Sequence, residues 1–153
     1  KLNSQDTGSG KAFSGLIRRA LQVYHQDEAL EGLELLGQLH LVRLELERAS
    51  GQNRADAVRG IIRAGLESLR QMDPEAAAIL EARYLDKKLA TMVAMDRNYG
   101  VRTLYKRQGR AITVLAQIIW AQEERERDRR QRVQTLREEA ILNSLPPPTY
   151  TRL

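Results

Sequence analysis

The sequence predicts an all-α protein with three parts: a small N-terminal helical bundle, a helix-turn-helix and a long charged C-terminal helix. Three observations indicate this fold class. Apolar residues recur at steps of three and four, the spacing of one helical face. Residues 13–72 contain no alternating pattern typical of a strand. The polar run over residues 121–140 is composed almost entirely of strong helix formers.

Composition limits the functional classes. The 153 residues suffice for one ordinary domain or two small ones. A hydrophobic content of 42% and a charged content of 29% indicate a modest core. The chain has no cysteine, which excludes disulfides, a thiolate zinc site and a cysteine nucleophile. No apolar run approaches the roughly 20 residues that span a bilayer, and no signal peptide pattern opens the chain. We therefore expect a cytoplasmic protein without a membrane contact.

The first segment, residues 1–12, is rich in Gly, Ser, Asn and Asp and predicts a flexible leader. Its Gly8-Ser9-Gly10-Lys11 run is not a phosphate-binding loop. That motif requires glycine where Gln5 stands and Ser or Thr where Ala12 stands.

Residues 13–72 predict the N-terminal helical bundle. Its first helix should cover about residues 13–25, and Asp27 is a suitable N-cap for the helix that follows. Short helical turns over residues 33–42 should lead into a helix over residues 38–48.

The last helix of this bundle should run from Arg54 to Met72 with Asn53 as its N-cap. Gly60 and Gly65 lie inside it and weaken it by about 1 kcal/mol each. They are tolerable if a neighbouring helix approaches closely at these positions.

Residues 73–120 predict the helix-turn-helix. Asp73 is an N-cap and Pro74 occupies the first helical position. This helix should end near Tyr84, and a second should cover about residues 89–97.

The third helix of this unit should begin near Val101. Asn98 tolerates the left-handed conformation that a tight turn requires, and Gly100 can serve as a weak N-cap. The stripe that we expect to face inward is Val101, Leu104, Tyr105, Ala111, Ile112, Leu115 and Ile118 or Ile119.

Positive charge is concentrated in this third helix and the turn before it. Arg102, Lys106 and Arg110 follow one another at four-residue steps, and Arg97 and Arg107 lie nearby. No acidic residue occurs between Arg97 and Arg110. The net charge of the chain is +5, and a basic surface favours polyanions through counterion release.

Residues 121–145 predict a charged, exposed extension of the third helix. The favourable acid-before-base pairs at i,i+4 are Glu123–Arg127, Glu126–Arg130 and Asp128–Arg132. An apolar stripe formed by Val133, Leu136, Ala140 and Ile141 could fold back on the bundle or pair with another chain. Residues 146–153 predict a proline-rich, semi-rigid linker, which we expect to lead to a further domain.

The sequence shows no set of residues typical of catalysis. His25 and His40 lack carboxylates at metal-ligand spacing, and the acidic side chains of Glu28, Glu31 and Glu34 are more simply a solvated face. We therefore expect no enzyme activity, no metal and no cofactor.

Residues 69–115 resemble the C-terminal, promoter-reading domain of bacterial sigma factors. The matching elements are Arg83-Tyr84-Leu85, Val93-Ala94, Thr103-Leu104 and Arg110-Ala111-Ile112. The sequence departs from this sigma-like pattern where Arg97 replaces a core leucine, Asn98 a turn glycine and Gly100 a serine cap. The wider layout resembles, more loosely, the N-terminal region of large bacterial signal-transduction ATPases.

The resemblance implies a double-stranded DNA partner and a role in transcription regulation. Arg102, Thr103, Lys106 and Arg107 would contact base edges and phosphates in the major groove. Arg97 and Arg110 would contact the DNA backbone. The three departures and the late apolar stripe leave a second hypothesis open: a protein-interaction or oligomerisation module that has lost DNA readout.

Overall fold

The computed structural model describes the backbone of residues 4–146 and the side chains of residues 10–146. Over this range the chain is helical and contains no strand, which confirms the all-α fold class. The α-helices are α1 (Ser4–Gln22), α2 (Asp27–Glu31), α3 (Glu34–Gly37), α4 (His40–Arg48), α5 (Arg54–Met72), α6 (Pro74–Leu80), α7 (Ala90–Asp96) and α8 (Val101–Ser144), with a π-helical segment over Glu81–Leu85.

The first helix begins earlier than the sequence predicts. α1 starts at Ser4, so residues 4–12 of the predicted flexible leader are helical, and residues 1–3 lie outside the described part. Burial of Phe13, Ile17 and Leu21 anchors the helix. Adding turns to a formed helix is easier than nucleating it, which accounts for helix through weak helix formers.

The caps of the bundle are partly as predicted. Asn53 accepts a hydrogen bond from the Asp56 N–H at 2.8 Å and caps α5. The prediction that Asp27 is an N-cap is wrong: Gln26 holds that position, and Asp27 is the first residue of α2. The Asp27 carboxylate instead forms an ion pair with Arg59 of α5, a tertiary contact that competes with local capping.

One hydrophobic core joins the predicted bundle to the predicted helix-turn-helix. Ile17 of α1, Leu66 of α5, Leu80 of α6 and Leu115 of α8 are all at most 2% exposed and belong to the same buried cluster. The core therefore continues across the predicted boundary between residues 72 and 73. It fixes α8 against the bundle.

α8 is continuous over 44 residues, but its second part is not uniformly exposed. The prediction of an exposed charged extension is wrong for Glu123 and Glu126, which are 0% and 7% exposed. Both are buried because they have partners. The predicted pairs Glu123–Arg127 and Glu126–Arg130 form at 2.9 and 2.7 Å.

Glu123 also holds the start of another helix. Its carboxylate oxygens accept hydrogen bonds from the backbone N–H groups of His40 and Leu41, each at 3.0 Å. α4 has Leu39 at its N-cap position, without a side-chain cap. Glu123 thus supplies from α8 the acceptor that the first turn of α4 lacks. Burial opposes ionisation here, but these N–H groups keep the pKa of Glu123 below its ordinary value.

The far end of α8 leaves the bundle. Leu136 and Ile141 are 64% and 59% exposed, and Val133 is half-buried. The predicted apolar stripe therefore does not fold back onto residues 10–130. Among the helices described, none is long and apolar enough to cross a membrane.

Candidate nucleic-acid interface

The first helix of the predicted helix-turn-helix starts as expected. The Asp73 carboxylate accepts a hydrogen bond from the Ala76 N–H at 3.1 Å, and Pro74 is the first residue of α6. The predicted end near Tyr84 is correct only in outline, because the last turn is π-helical. In it, the N–H of Asp86 donates to the carbonyl of Glu81 at 2.8 Å.

His25, in the turn that follows α1, contacts this π-helical turn. The Nε2 atom of His25 lies 3.1 Å from the carbonyl oxygen of Tyr84 and 3.0 Å from that of Leu85. A protonated Nε2 can donate to both carbonyls, which otherwise lack helical partners. His25 thus has a polar contact with this turn.

The turn between α7 and α8 has the predicted backbone. Asn98 has a φ of +59°, in the left-handed region that Asn tolerates. The Tyr99 N–H donates to the Ala94 carbonyl at 2.8 Å, which closes the turn. Gly100 stands at the N-cap of α8 with extended backbone, also as predicted.

A small second cluster holds α7 against α8 and α6. Its buried members come from all three helices: Ile79, Ala90, Val93, Ala94 and Leu104. Tyr99, from the turn, packs beside them. The turn and this cluster together determine which side of the first turns of α8 faces the solvent.

Four of the six predicted DNA contacts lie on one exposed face of α8. Arg102, Thr103, Lys106 and Arg110 are all exposed. No carboxylate of residues 10–146 forms an ion pair with the three cations among them. Their charge is therefore available to a ligand.

The inward stripe of α8 differs from the prediction at its start. Leu104, Ala111, Ile112, Leu115 and Ile119 are buried, but Val101 and Tyr105 are 38% and 51% exposed. On a helical wheel Tyr105 lies at the edge of the buried arc, whereas Val101 lies within the arc but is the first residue of the helix. The centre of the arc is taken by Gln108, which is only 6% exposed.

Both polar atoms of the buried Gln108 side chain are hydrogen-bonded. Its Oε1 atom accepts from Arg83 Nε at 2.9 Å, and its Nε2 donates to the Tyr84 hydroxyl at 3.0 Å. Arg83 also donates to the carbonyl of Lys88 at 2.7 Å. Burial raises the pKa of Tyr84. Gln108 is not part of the predicted inward stripe, although its position four residues after Leu104 marks it as inward.

The other two predicted contacts are held within the protein. Arg107 Nη1 lies 2.7 Å from Glu75 Oε1, and its guanidinium carbon lies 4.5 Å from the centre of the Tyr99 ring. Arg97 Nη1 lies 3.7 Å from Glu75 Oε2. The Tyr99 hydroxyl donates to Glu75 as well. Sequence reasoning missed this cluster, because Glu75 lies 22 residues before Arg97 and 32 residues before Arg107.

The charges of the cluster shift the ionisation of its members. The hydrogen bond from Tyr99, with Arg107 and Arg97 nearby, lowers the pKa of Glu75. The same hydrogen bond raises the pKa of Tyr99. Glu75 is therefore an anion at neutral pH, and it balances part of the positive charge at this edge of the interface.

No protein-family model matches the chain, and no characterised protein or solved structure matches it either. Among the described residues, no group of three His, Cys, Asp or Glu side chains is placed to hold a metal ion.

Proposed function

We propose that this protein is a DNA-binding helix-turn-helix regulatory module in which the first turns of α8 enter the major groove. The observation that carries the proposal is the row of Arg102, Lys106 and Arg110, which form no ion pair with any carboxylate of residues 10–146, on the helix that follows a tight turn. Thr103 lies on the same face, where its hydroxyl can bond to a base edge or a phosphate.

The dimensions of this face suit the groove. Eight residues separate Arg102 from Arg110, which corresponds to about 12 Å along the helix axis. The major groove of B-DNA is about 12 Å wide and admits one α-helix. A helix that lies in the groove can therefore bring Arg102, Lys106 and Arg110 close to phosphates, while Thr103 faces a base edge.

The salt dependence of binding measures how many of these cations act. Three neutralised phosphates give a slope of log K against log salt concentration of about −2.7. We expect this slope for random duplex DNA in fluorescence anisotropy. A steeper slope would indicate that further cations take part.

A paired substitution tests the assignment. Arg102→Ala with Lys106→Ala should weaken binding and reduce the size of the slope by about 1.8. Arg132→Ala with Arg137→Ala is the matched control, since it removes the same charge from exposed positions on the same helix. If the control weakens binding equally, or if neither pair changes the slope, α8's first turns are not the DNA contact.

A second candidate is an oligomerisation module formed through the far end of α8. The observation in its favour is the exposed apolar surface of Leu136, Ile141, Leu142 and Leu145, each 57% to 68% exposed. Light scattering over a concentration series would detect self-association. Leu136→Glu with Ile141→Glu should abolish it without unfolding the bundle, because neither side chain is buried. A monomer at all concentrations would refute this candidate.

A further inference from the structure

Glu75 is the point at which two predicted DNA contacts converge. It lies in the first turn of α6, and its two carboxylate oxygens are shared among Arg107, Arg97 and the Tyr99 hydroxyl. Arg107 is further held by the Tyr99 ring beneath its guanidinium. A phosphate that approached this edge would meet the two arginines already paired with a carboxylate.

We propose that Glu75 limits the DNA affinity of this surface by competing with phosphate for Arg97 and Arg107. The inference rests on the proposed function and adds to it, since it divides the six predicted DNA contacts into two classes. Arg102, Thr103, Lys106 and Arg110 act as they stand. Arg97 and Arg107 contribute only after leaving Glu75.

Glu75 holds the two arginines with modest strength. The Glu75 and Arg107 side chains are 41% and 46% exposed, and Arg97 is 34% exposed. Ion pairs this exposed are weak and are screened by salt. Each ion pair favours the arginine bound to Glu75 over the free arginine by up to roughly fivefold. Removing Glu75 should therefore increase the affinity for DNA by up to that factor for each arginine.

The substitution Glu75→Gln removes the charge and keeps the size of the side chain. We expect it to tighten binding to random duplex DNA at low salt. The salt slope should steepen by up to about 1.8, because two more phosphates become neutralised. Glu28→Gln is the matched control: Glu28 is also exposed and also lies in the first turn of a short helix. It changes net charge equally and should leave the slope unchanged.

Two further variants show whether tighter binding comes from the release of the arginines or only from the loss of one negative charge. In an Arg107→Ala background, Glu75→Gln should give a smaller gain than in the wild type. Tyr99→Phe removes the hydroxyl that holds Glu75 without any change in charge, and it should tighten binding in the same direction but less. Far-UV circular dichroism of each variant establishes that the helices are retained.

The outcomes distinguish this inference from the proposed function. If the wild type binds and Glu75→Gln binds no more tightly than Glu28→Gln, the inference fails and the proposed function stands. Weaker binding by Glu75→Gln would also overturn it, because Glu75 would then position the arginines. If only Glu75→Gln binds, both are supported. If no variant binds at low salt, both fail.

Discussion

Gly60 and Gly65 of α5 allow the packing of α8 against the bundle to be tested, because the same substitution by alanine can be made at both. A Cβ atom on Gly65 would lie 2.9 Å from Leu115 Cδ1 and from Ile119 Cγ1, closer than Cβ atoms approach in real proteins. Leu115 and Ile119 are 0% exposed. Both residues belong to α8. Gly65 therefore permits α8 to approach α5 closely, as the sequence predicts for a glycine inside this helix.

Gly60 lies in the same helix but meets a different neighbour. Its nearest contact would be a carboxylate oxygen of Glu45 at 3.4 Å, the end of a flexible side chain. Ala at either position gains about 1 kcal/mol of helix propensity. Only Gly65→Ala also overpacks a filled core, which costs about 1–3 kcal/mol.

The propensity gain is common to both variants, so their difference isolates the packing between α5 and α8. We expect Gly60→Ala to raise the free energy of unfolding by about 1 kcal/mol. Gly65→Ala should be about 1–3 kcal/mol less stable than Gly60→Ala. Urea unfolding followed by far-UV circular dichroism measures both, with equal m-values as the check on two-state behaviour. Equal stability of the two variants would refute the close packing of α8 against α5 at Gly65.

Two predictions concern the buried carboxylates of α8. Glu123→Gln removes the ionised acceptor of the His40 and Leu41 N–H groups, and it should lower the free energy of unfolding by roughly 1–3 kcal/mol. Glu124→Gln, exposed and next in sequence, should change it little, so equal losses in urea melts would contradict the capping role. Hydrogen bonds from the adjacent arginines lower the pKa of Glu126 to about 2. Because its folded pKa lies below the unfolded value of 4.5, its stabilisation is complete above pH 4.5 and is lost as pH falls towards 2. Unfolding measured across that range should show a shallower decline for Glu126→Gln than for the wild type, and parallel curves would contradict it.

The features that sequence reasoning obtained correctly depend on neighbouring residues. Asn53 and Asp73 cap helices through N–H groups three residues away, and Asn98 adopts a backbone that its own side chain permits. The all-α class follows from periodicity in the same way. Such features need no knowledge of what packs against them, so they can be predicted from a short window.

The features that it missed depend on partners far along the chain. Glu123 binds N–H groups 83 and 82 residues earlier, and Gln108 binds side chains 25 and 24 residues earlier. Both residues look like solvent-exposed polar positions in a helical pattern. Burying a polar group is costly unless it is hydrogen-bonded. Whether these partners exist is decided by the tertiary fold, which a periodic pattern does not contain.

The candidate site also differs from the sequence prediction because of a partner far along the chain. The sequence shows five cations and no acidic residue between Arg97 and Arg110. Folding brings Glu75 into this region from 22 residues before Arg97 and 32 before Arg107, and so two of the five cations acquire a counter-charge. A count of charges along a helix therefore overstates the cations available to a polyanion.

The two candidate surfaces lie at opposite ends of α8 and do not compete for residues. The basic residues occupy the first turns, the middle of the helix belongs to the core, and the exposed apolar side chains begin at Leu136. Arg110 and Leu136 are about 39 Å apart along the helix axis. DNA binding and self-association can therefore be measured in one protein and removed separately, by Arg102→Ala with Lys106→Ala or by Leu136→Glu with Ile141→Glu. If the second pair abolishes both properties, the basic face acts only within an oligomer, since paired copies of a DNA-reading helix can contact two half-sites at once.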